Sequence, residues 1–136
     1  MLNQYLWVYG TLRRGESNHH FLTGCSFLGL VHYPGSLFSV RGHYPVFRPS
    51  LSTKVSSGSV LGELYQIQLA LWPRLDELEG VEEGYYQRAS FPISAGLVPK
   101  EAEAIVYVVG PLLESFCREE HLIPSGDWCQ RSSFSL

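Results

Sequence analysis

Short apolar runs broken by glycine and proline set the rhythm of this chain, and a single segment near its middle departs from it. Leu6-Trp7-Val8-Tyr9 is an aromatic and branched run stopped by Gly10, which predicts a buried strand ending in a turn. From Ser26 to Val46 the apolar runs are punctuated by Pro34-Gly35, Gly42 and Pro45, predicting strands separated by turns. The Ser-rich stretch from Pro49 to Ser59 reads as an exposed hairpin tip or loop. Val60 to Ile67 alternates like a half-buried strand, and further strands are expected at Gln87 to Ser94 and Ala102 to Val109. Between these runs, Ala70 to Glu79 has helical spacing. The order is mixed, rich in β with one important helix. It predicts an α+β fold, a curved sheet or partly closed barrel with a few flanking helices, in preference to an alternating doubly wound one.

Composition narrows the class. A chain of 136 residues, 45% apolar and 13% aromatic, has the length and the hydrophobic content for one packed domain over 1–136, and is not a disordered chain. A net charge of −3 offers nothing to a phosphate backbone, so no nucleic acid is expected as partner. No stretch approaches the ~20 apolar residues that cross a bilayer, so no membrane is expected either. The first ten residues lack a basic segment, which makes them a poor signal peptide. Cys25, Cys117 and Cys129 are odd in number and form no C-x-x-C, arguing against a disulfide framework or a thiolate metal site. A cytoplasmic location with reduced thiols follows as the expectation. His19 and His20 are neighbours, and His32, His43 and His121 have no ligand spacing, so no metal is expected. Oligomeric state is open.

The helical segment carries the first candidate. With Pro73 tolerated in its first turn, Leu71, Leu75 and Leu78 share one face and Trp72 lies at its edge. At about 100° per residue, Glu79 projects between Leu75 and Trp72 on the buried side, and Glu77 points away. Asp76 falls at the boundary, while Glu82 and Glu83 lie beyond Gly80, a candidate C′ residue, in a solvated turn. A carboxylate among Leu and Trp loses hydration, and at a helix C-terminus it meets the negative end of the macrodipole. Both raise its pKa toward the range of a general base. A cap accepting a hydrogen bond, or an acid facing water at a frayed end, is the alternative.

Tyr9-Gly10-Thr11-Leu12-Arg13-Arg14-Gly15 carries the second. Gly10 permits a sharp turn and the approach of a ligand to backbone N–H groups, and Thr11 adds a hydroxyl. Successive N–H groups in such a turn form an anion-binding concavity, although an ordinary strand-to-loop turn has the same composition. The segment is neither G-x-G-x-x-G nor a phosphate loop, so nucleotide binding has no support.

Val8 to Gly15, Gly42-His43-Tyr44-Pro45, Leu75-Asp76-Glu77-Leu78-Glu79-Gly80 and Tyr86-Gln87-Arg88 together resemble the γ-glutamylcyclotransferase family, including its γ-glutamylamine cyclotransferase-like members, in order and spacing across nearly the whole chain. Ser125-Gly126-Asp127-Trp128 further resembles its short bacterial branch. The resemblance implies a β-barrel-like fold with flanking helices, a substrate loop at Tyr9 to Leu12, and Glu79 as catalytic acid/base. It implies a small γ-glutamyl substrate, closure of a 5-oxoproline ring by the substrate's own α-amine, and no cofactor. A binding module that keeps the pocket without turnover is the alternative.

Other candidates have two readings each. Arg13 or Arg14 could pair with a substrate carboxylate or be solvated. Tyr44 and Tyr86 could be pocket walls with hydroxyl donors or core residues. Trp128 could close over the pocket or pin the C-terminus to the barrel. The cysteines are most simply core or surface thiols, because a cyclisation supplies its own nucleophile.

Overall fold

The computed structural model describes residues 4–50, 58–93 and 102–134. Six strands, β1 (Gln4–Val8), β2 (Ser26–Val40), β3 (Tyr44–Pro49), β4 (Ser59–Ile67), β5 (Tyr86–Phe91) and β6 (Ala104–Val109), join in the order β3-β2-β4-β1-β6-β5. All neighbours are antiparallel except β1 and β6, which pair in parallel through Tyr5/Ala104 and Leu6/Ile105. The sheet curls into a half-barrel, the mixed β-rich architecture expected from the sequence pattern.

The Pro34-Gly35 pair is not the turn its composition suggests. It sits inside the 15-residue β2, at the point where that strand exchanges one partner for another. Residues up to Pro34 pair with β4 and those from Gly35 onward pair with β3. A proline, which has no N–H to give a ladder, is tolerated where the ladder changes sides. The turn itself falls at Arg41–His43, closed by the His43 N–H on the Val40 carbonyl at 3.0 Å. Of the loop expected between Pro49 and Ser59, residues 51–57 lie outside the described residues, as does the expected end of β5 at Ser94.

Alternation along β1 loads both faces of the sheet. Leu6 and Val8 join one core with Tyr65, Ile67, Trp72, Leu75 and Val109. Trp7 and Tyr9 join another with Phe47, Leu64, Val106, Val108 and Trp128. β4 also feeds both cores, so it is buried more continuously than a half-exposed strand would be. Each fully buried Leu or Trp contributes roughly 1.5–3 kcal/mol of transfer free energy.

The helix α1 (Trp72–Glu79) follows a 3-10 turn at Leu69–Leu71, with Pro73 in its first turn. Trp72 and Leu75 are buried and Leu78 packs against the same core, the face expected from spacing. Gly80 ends the helix with φ 63°, its N–H on the Glu77 carbonyl at 3.2 Å and the Val81 N–H on the Asp76 carbonyl at 3.1 Å. This double bond is a Schellman cap, and its left-handed residue favours glycine. The same glycine is crowded: a Cβ there would lie 2.7 Å from the Tyr85 ring. Its carbonyl accepts the N–H groups of Gly84 and Tyr85, folding the chain back into β5.

Candidate active site

The C-terminal end of β1, the start of β3, the end of α1 and the start of β5 meet at one opening. Cross-strand hydrogen bonds hold them there. The Tyr9 hydroxyl donates to the Tyr107 carbonyl at 2.6 Å and accepts the Phe47 N–H at 3.2 Å, locking β3 over β1 and β6. The Tyr86 hydroxyl donates to the Pro45 carbonyl at 2.6 Å, tying β5 to β3. Burial pushes both phenols well above their ordinary pKa, and the nearby Glu79 charge pushes in the same direction.

Between these elements lies a cleft of about 620 Å³ lined by Thr11, Asn18, Tyr44, Glu79, Gly80 and Tyr86, with Glu77 and Glu83 toward its rim. It adjoins a narrow recess of about 30 Å³ lined by Tyr9 to Leu12, Pro45, Tyr107 and again Tyr44, Glu79 and Tyr86. Glu79 therefore stands where the cleft meets the recess. Among the described residues no donor or cation pairs with its carboxylate, and desolvation by burial raises its pKa to about 7. A carboxyl poised there can take up and give back a proton at neutral pH.

The loop after β1 forms the facing wall. The Arg13 N–H closes a turn on the Gly10 carbonyl at 3.0 Å, and Asn18 braces Thr11 twice, backbone N–H to carbonyl at 2.8 Å and Nδ2 to Oγ1 at 3.0 Å. Among the described residues, no acceptor meets the N–H of Gly10, Thr11 or Leu12. The requirement for glycine at position 10 has a different cause from the one expected. A Cβ there would strike the Pro45 ring at 2.6 Å, so the residue is small to admit β3, and no left-handed φ is involved. Leu12 is buried in the core and also lines the recess.

Arg13 is a correction to the sequence reading. Its guanidinium is buried, with Nε 3.1 Å from Glu63 and Nη1 2.6 Å from Asp127, and it lines neither cleft nor recess. Glu63 is saturated in turn, accepting the Arg14 N–H at 3.0 Å and the Tyr65 hydroxyl at 2.9 Å. A cation taken out of water needs neutralising partners, and these three groups provide them for one another. Tyr44 and Tyr86 do line the cleft, their rings 6.4 Å apart, but the Tyr86 hydroxyl is taken by Pro45 and only its ring serves as wall. Glu77 and Glu83, read as facing away and as solvated, are exposed yet edge the cleft.

Trp128 resolves in favour of the pin. It is buried in the core beside Trp7, and its Nε1 donates to Glu16 at 3.0 Å. Arg131 stacks 4.0 Å over its ring. The Leu61 N–H reaches the Gly126 carbonyl at 2.8 Å, so the Ser125-Gly126-Asp127-Trp128 segment docks on β4 and delivers Asp127 to Arg13. Tyr107 is a recess residue that the sequence reading missed. Its signal was a lone hydroxyl-bearing residue in the otherwise apolar run Ala104 to Val109. Among the described residues no three His, Cys, Asp or Glu side chains are grouped to hold a metal ion, and no helix is long and apolar enough to cross a membrane.

A mixed six-stranded sheet curled into a half-barrel with few helices is the architecture of the cyclotransferase-like class of small β-rich folds. The chain belongs to the family described as gamma-glutamyl cyclotransferase, AIG2-like, whose model matches residues 6–130. A Vibrio cholerae protein, named provisionally as a gamma-glutamylcyclotransferase, is 32% identical over 132 residues, covering 96% of this chain and 99% of its own. The gamma-glutamylcyclotransferase family protein YtfP of Escherichia coli is 31% identical over 126 residues, 93% of this chain and 96% of YtfP. The solution structure of YtfP superposes with a TM-score of 0.66 at 32% identity over 95% of this chain and 99% of that one. The protein PH0828 of Pyrococcus horikoshii shares the fold alone, with a TM-score of 0.71 at 22% identity over 97% and 94% of the two chains.

Proposed function

We propose that this protein cyclises a γ-glutamyl amide, releasing 5-oxoproline and the amine formerly attached at the γ-carbonyl. The single observation that carries the reading is Glu79, an acid without a partner among the described residues and with a pKa near 7, at the junction of cleft and recess opposite the N–H groups of Gly10, Thr11 and Leu12. A γ-glutamyl amide brings its own nucleophile and lacks only a base and an anion site, and this arrangement supplies both.

The chemistry balances without a cofactor. Glu79 removes a proton from the substrate's α-ammonium, and the freed amine nitrogen attacks the γ-carbonyl carbon. The new C–N bond closes a five-membered ring while the carbonyl oxygen gains negative charge. Collapse of that tetrahedral centre breaks the bond to the leaving nitrogen, which takes the proton that Glu79 holds, and the second proton of the ring nitrogen passes by way of the freed Glu79 carboxylate to the departing amine, which leaves as an ammonium. The N–H groups of Gly10 to Leu12 receive an anion of the substrate, its α-carboxylate or the developing oxyanion, and hold the glutamyl chain folded on itself. Tyr9 and Tyr86 act by shaping the recess, Tyr44 as a cleft wall.

The test is 5-oxoproline release from γ-glutamyl amino acids, γ-glutamyl amines and glutathione, with Glu79→Gln run in parallel. Gln keeps the shape and cannot take the proton. Loss of turnover in the variant, with folding and ligand affinity retained, is the expected result. A folded unmodified protein that binds these compounds and releases no 5-oxoproline from any of them overturns it.

A further inference from the structure

Thr11 stands at the same junction as Glu79, lining both the cleft and the recess. One residue holds its backbone and its side chain together. The Asn18 N–H donates to the Thr11 carbonyl at 2.8 Å, and Asn18 Nδ2 donates to Thr11 Oγ1 at 3.0 Å. His19 Nδ1 lies 2.9 Å from the Leu12 carbonyl, so the carbonyls of Thr11 and Leu12 are both turned toward the 18–19 segment. In a trans peptide the following N–H points the opposite way, which aims the Leu12 N–H away from that segment.

The Asn18 side chain departs from what its position invites. Asn18 is the N-cap of the 3-10 turn His19–Leu22, where an Asn oxygen ordinarily accepts from the turn's own N–H groups. It makes no such bond. Its amide is spent on Thr11 as a donor, and that sets the polarity of the hydroxyl. A hydroxyl has one hydrogen and two lone pairs. Asn18 fills a lone pair, and among the described residues the hydrogen meets no acceptor. A side-chain donor is therefore left over where the cleft meets the recess. Among the described residues no Arg or Lys lines either space, so a negatively charged ligand oxygen there depends on hydroxyl and N–H donors. Bonds of that charge-assisted kind are stronger than neutral ones. A brace that only kept the loop in shape would serve with the Asn18–Thr11 hydrogen bond running in either direction.

We infer that Asn18 is a positioning residue that holds the Thr11 hydroxyl as a donor into the cleft, adding a side-chain donor to the loop N–H groups that receive the charged oxygen of a γ-glutamyl ligand. The inference rests on the cyclotransferase reading above. Thr11 touches the ligand, and Asn18 acts through Thr11. Neither makes or breaks a covalent bond.

The backbone bond from Asn18 to Thr11 survives replacement of the Asn18 side chain, so variants there isolate the amide. Thr11→Val, which keeps the shape and removes the hydroxyl, is expected to lower kcat/KM by on the order of tenfold or more, and Thr11→Ser to recover most of that loss. Asn18→Ala should lose about two- to tenfold. Asn18→Asp should lose more, because its carboxylate takes the hydroxyl hydrogen and turns a lone pair on the ligand. In the Thr11→Val background, Asn18→Ala should cost nothing further. A loss that falls on KM and on the Kd of 5-oxoproline places the α-carboxylate at the hydroxyl, and a loss confined to kcat places the oxyanion there. Thr11→Val as active as the unmodified protein, or Asn18→Asp at least as active as Asn18→Ala, overturns the inference. So does an Asn18→Ala loss that persists in Thr11→Val, which would make Asn18 a brace alone. Calorimetric affinity for 5-oxoproline and γ-glutamyl amides needs no turnover and separates the two claims. An unmodified protein that binds these compounds and forms no 5-oxoproline overturns cyclisation, and an unchanged Kd in Thr11→Val then overturns the donor as well. A weakened Kd there leaves the donor standing without the reaction.

Discussion

Glu63 and Glu79 are the same side chain in opposite circumstances. Glu63, in the middle of a central strand, is buried and accepts from the Arg13 guanidinium, the Arg14 N–H and the Tyr65 hydroxyl. Glu79, at the end of α1, is half-buried and has no partner among the described residues. Both oxygens of Glu63 are engaged, holding the Arg13–Arg14 end of the loop on β4 and accepting from Tyr65 of the same strand, so it has nothing left for chemistry. Glu79 has lost water without gaining a donor, and the energy that would have gone into a hydrogen bond appears as an elevated pKa. Partner count, more than depth, separates the structural acid from the one proposed to react.

Replacing each acid should break the comparison in a different observable. Glu79→Gln is expected to lower kcat for 5-oxoproline release by about 10²- to 10⁴-fold, the range of a lost general base, while the circular dichroism spectrum is retained. Retention of more than a tenth of the activity would remove Glu79 from the reaction. Glu63→Leu should act on the fold. It leaves the Arg13 charge buried with Asp127 alone and orphans two donors, so a loss of about 3–5 kcal/mol in denaturant unfolding is expected. Adding Arg13→Leu removes the stranded charge and should return part of that loss, whereas additive losses in the double variant would mean the pair is not energetically coupled.

The acids also separate by pH. Glu79 has a folded pKa near 7 against an ordinary value of 4.5, so the folded state holds its proton more tightly than the unfolded one. Between those two values stability falls as pH rises, because the unfolded chain releases the proton first. Up to about 3 kcal/mol is at stake, since one pKa unit corresponds to about 1.4 kcal/mol. Glu79→Gln abolishes this cost. The variant should be more stable than the unmodified protein at pH 8 and no more stable at pH 4, as read by melting temperature. Equal gaps at both pH values would show that burial does not penalise the ionised form.

Much of this contrast was legible in the sequence, and where it was not, the missing information was spatial. The Leu71, Leu75, Leu78 stripe fixed which face of α1 is buried, and Gly80 after it marked the cap, so the place of Glu79 followed from rotation about the helix. The strand periods gave the curved sheet. What failed was anything set by a partner distant along the chain. Arg13 looked available because Glu63 and Asp127 lie 50 and 114 residues away. Pro34-Gly35 looked like a turn because a change of strand partner leaves no local mark. The packing reason for Gly10 was equally out of reach, because the neighbour that leaves no room for a Cβ is Pro45 from another strand.

Asp76 lies between the two cases and gives the smallest effect. It shares α1 with Glu79 but has partners, accepting from Arg88 Nε at 2.9 Å and Nη2 at 2.5 Å and from the Tyr107 hydroxyl at 2.7 Å. The Arg88 guanidinium holds its carboxyl below the ordinary value, against the opposing pull of desolvation. The pair is open to solvent, so screening limits its worth to about 0.5–1 kcal/mol. Because the folded pKa is depressed, that stability is present above the ordinary value of 3.8 and lost as pH falls through the folded one. Asp76→Asn should therefore cost stability at pH 7, less in high salt, and almost nothing near pH 2, as measured by urea unfolding. Its effect on kcat should stay within a few-fold, since Leu75 and Trp72 still anchor α1 to the core and keep Glu79 at the cleft. A loss of activity as large as that of Glu79→Gln would mean that this surface network, and not the apolar face of the helix, is what aims the acid.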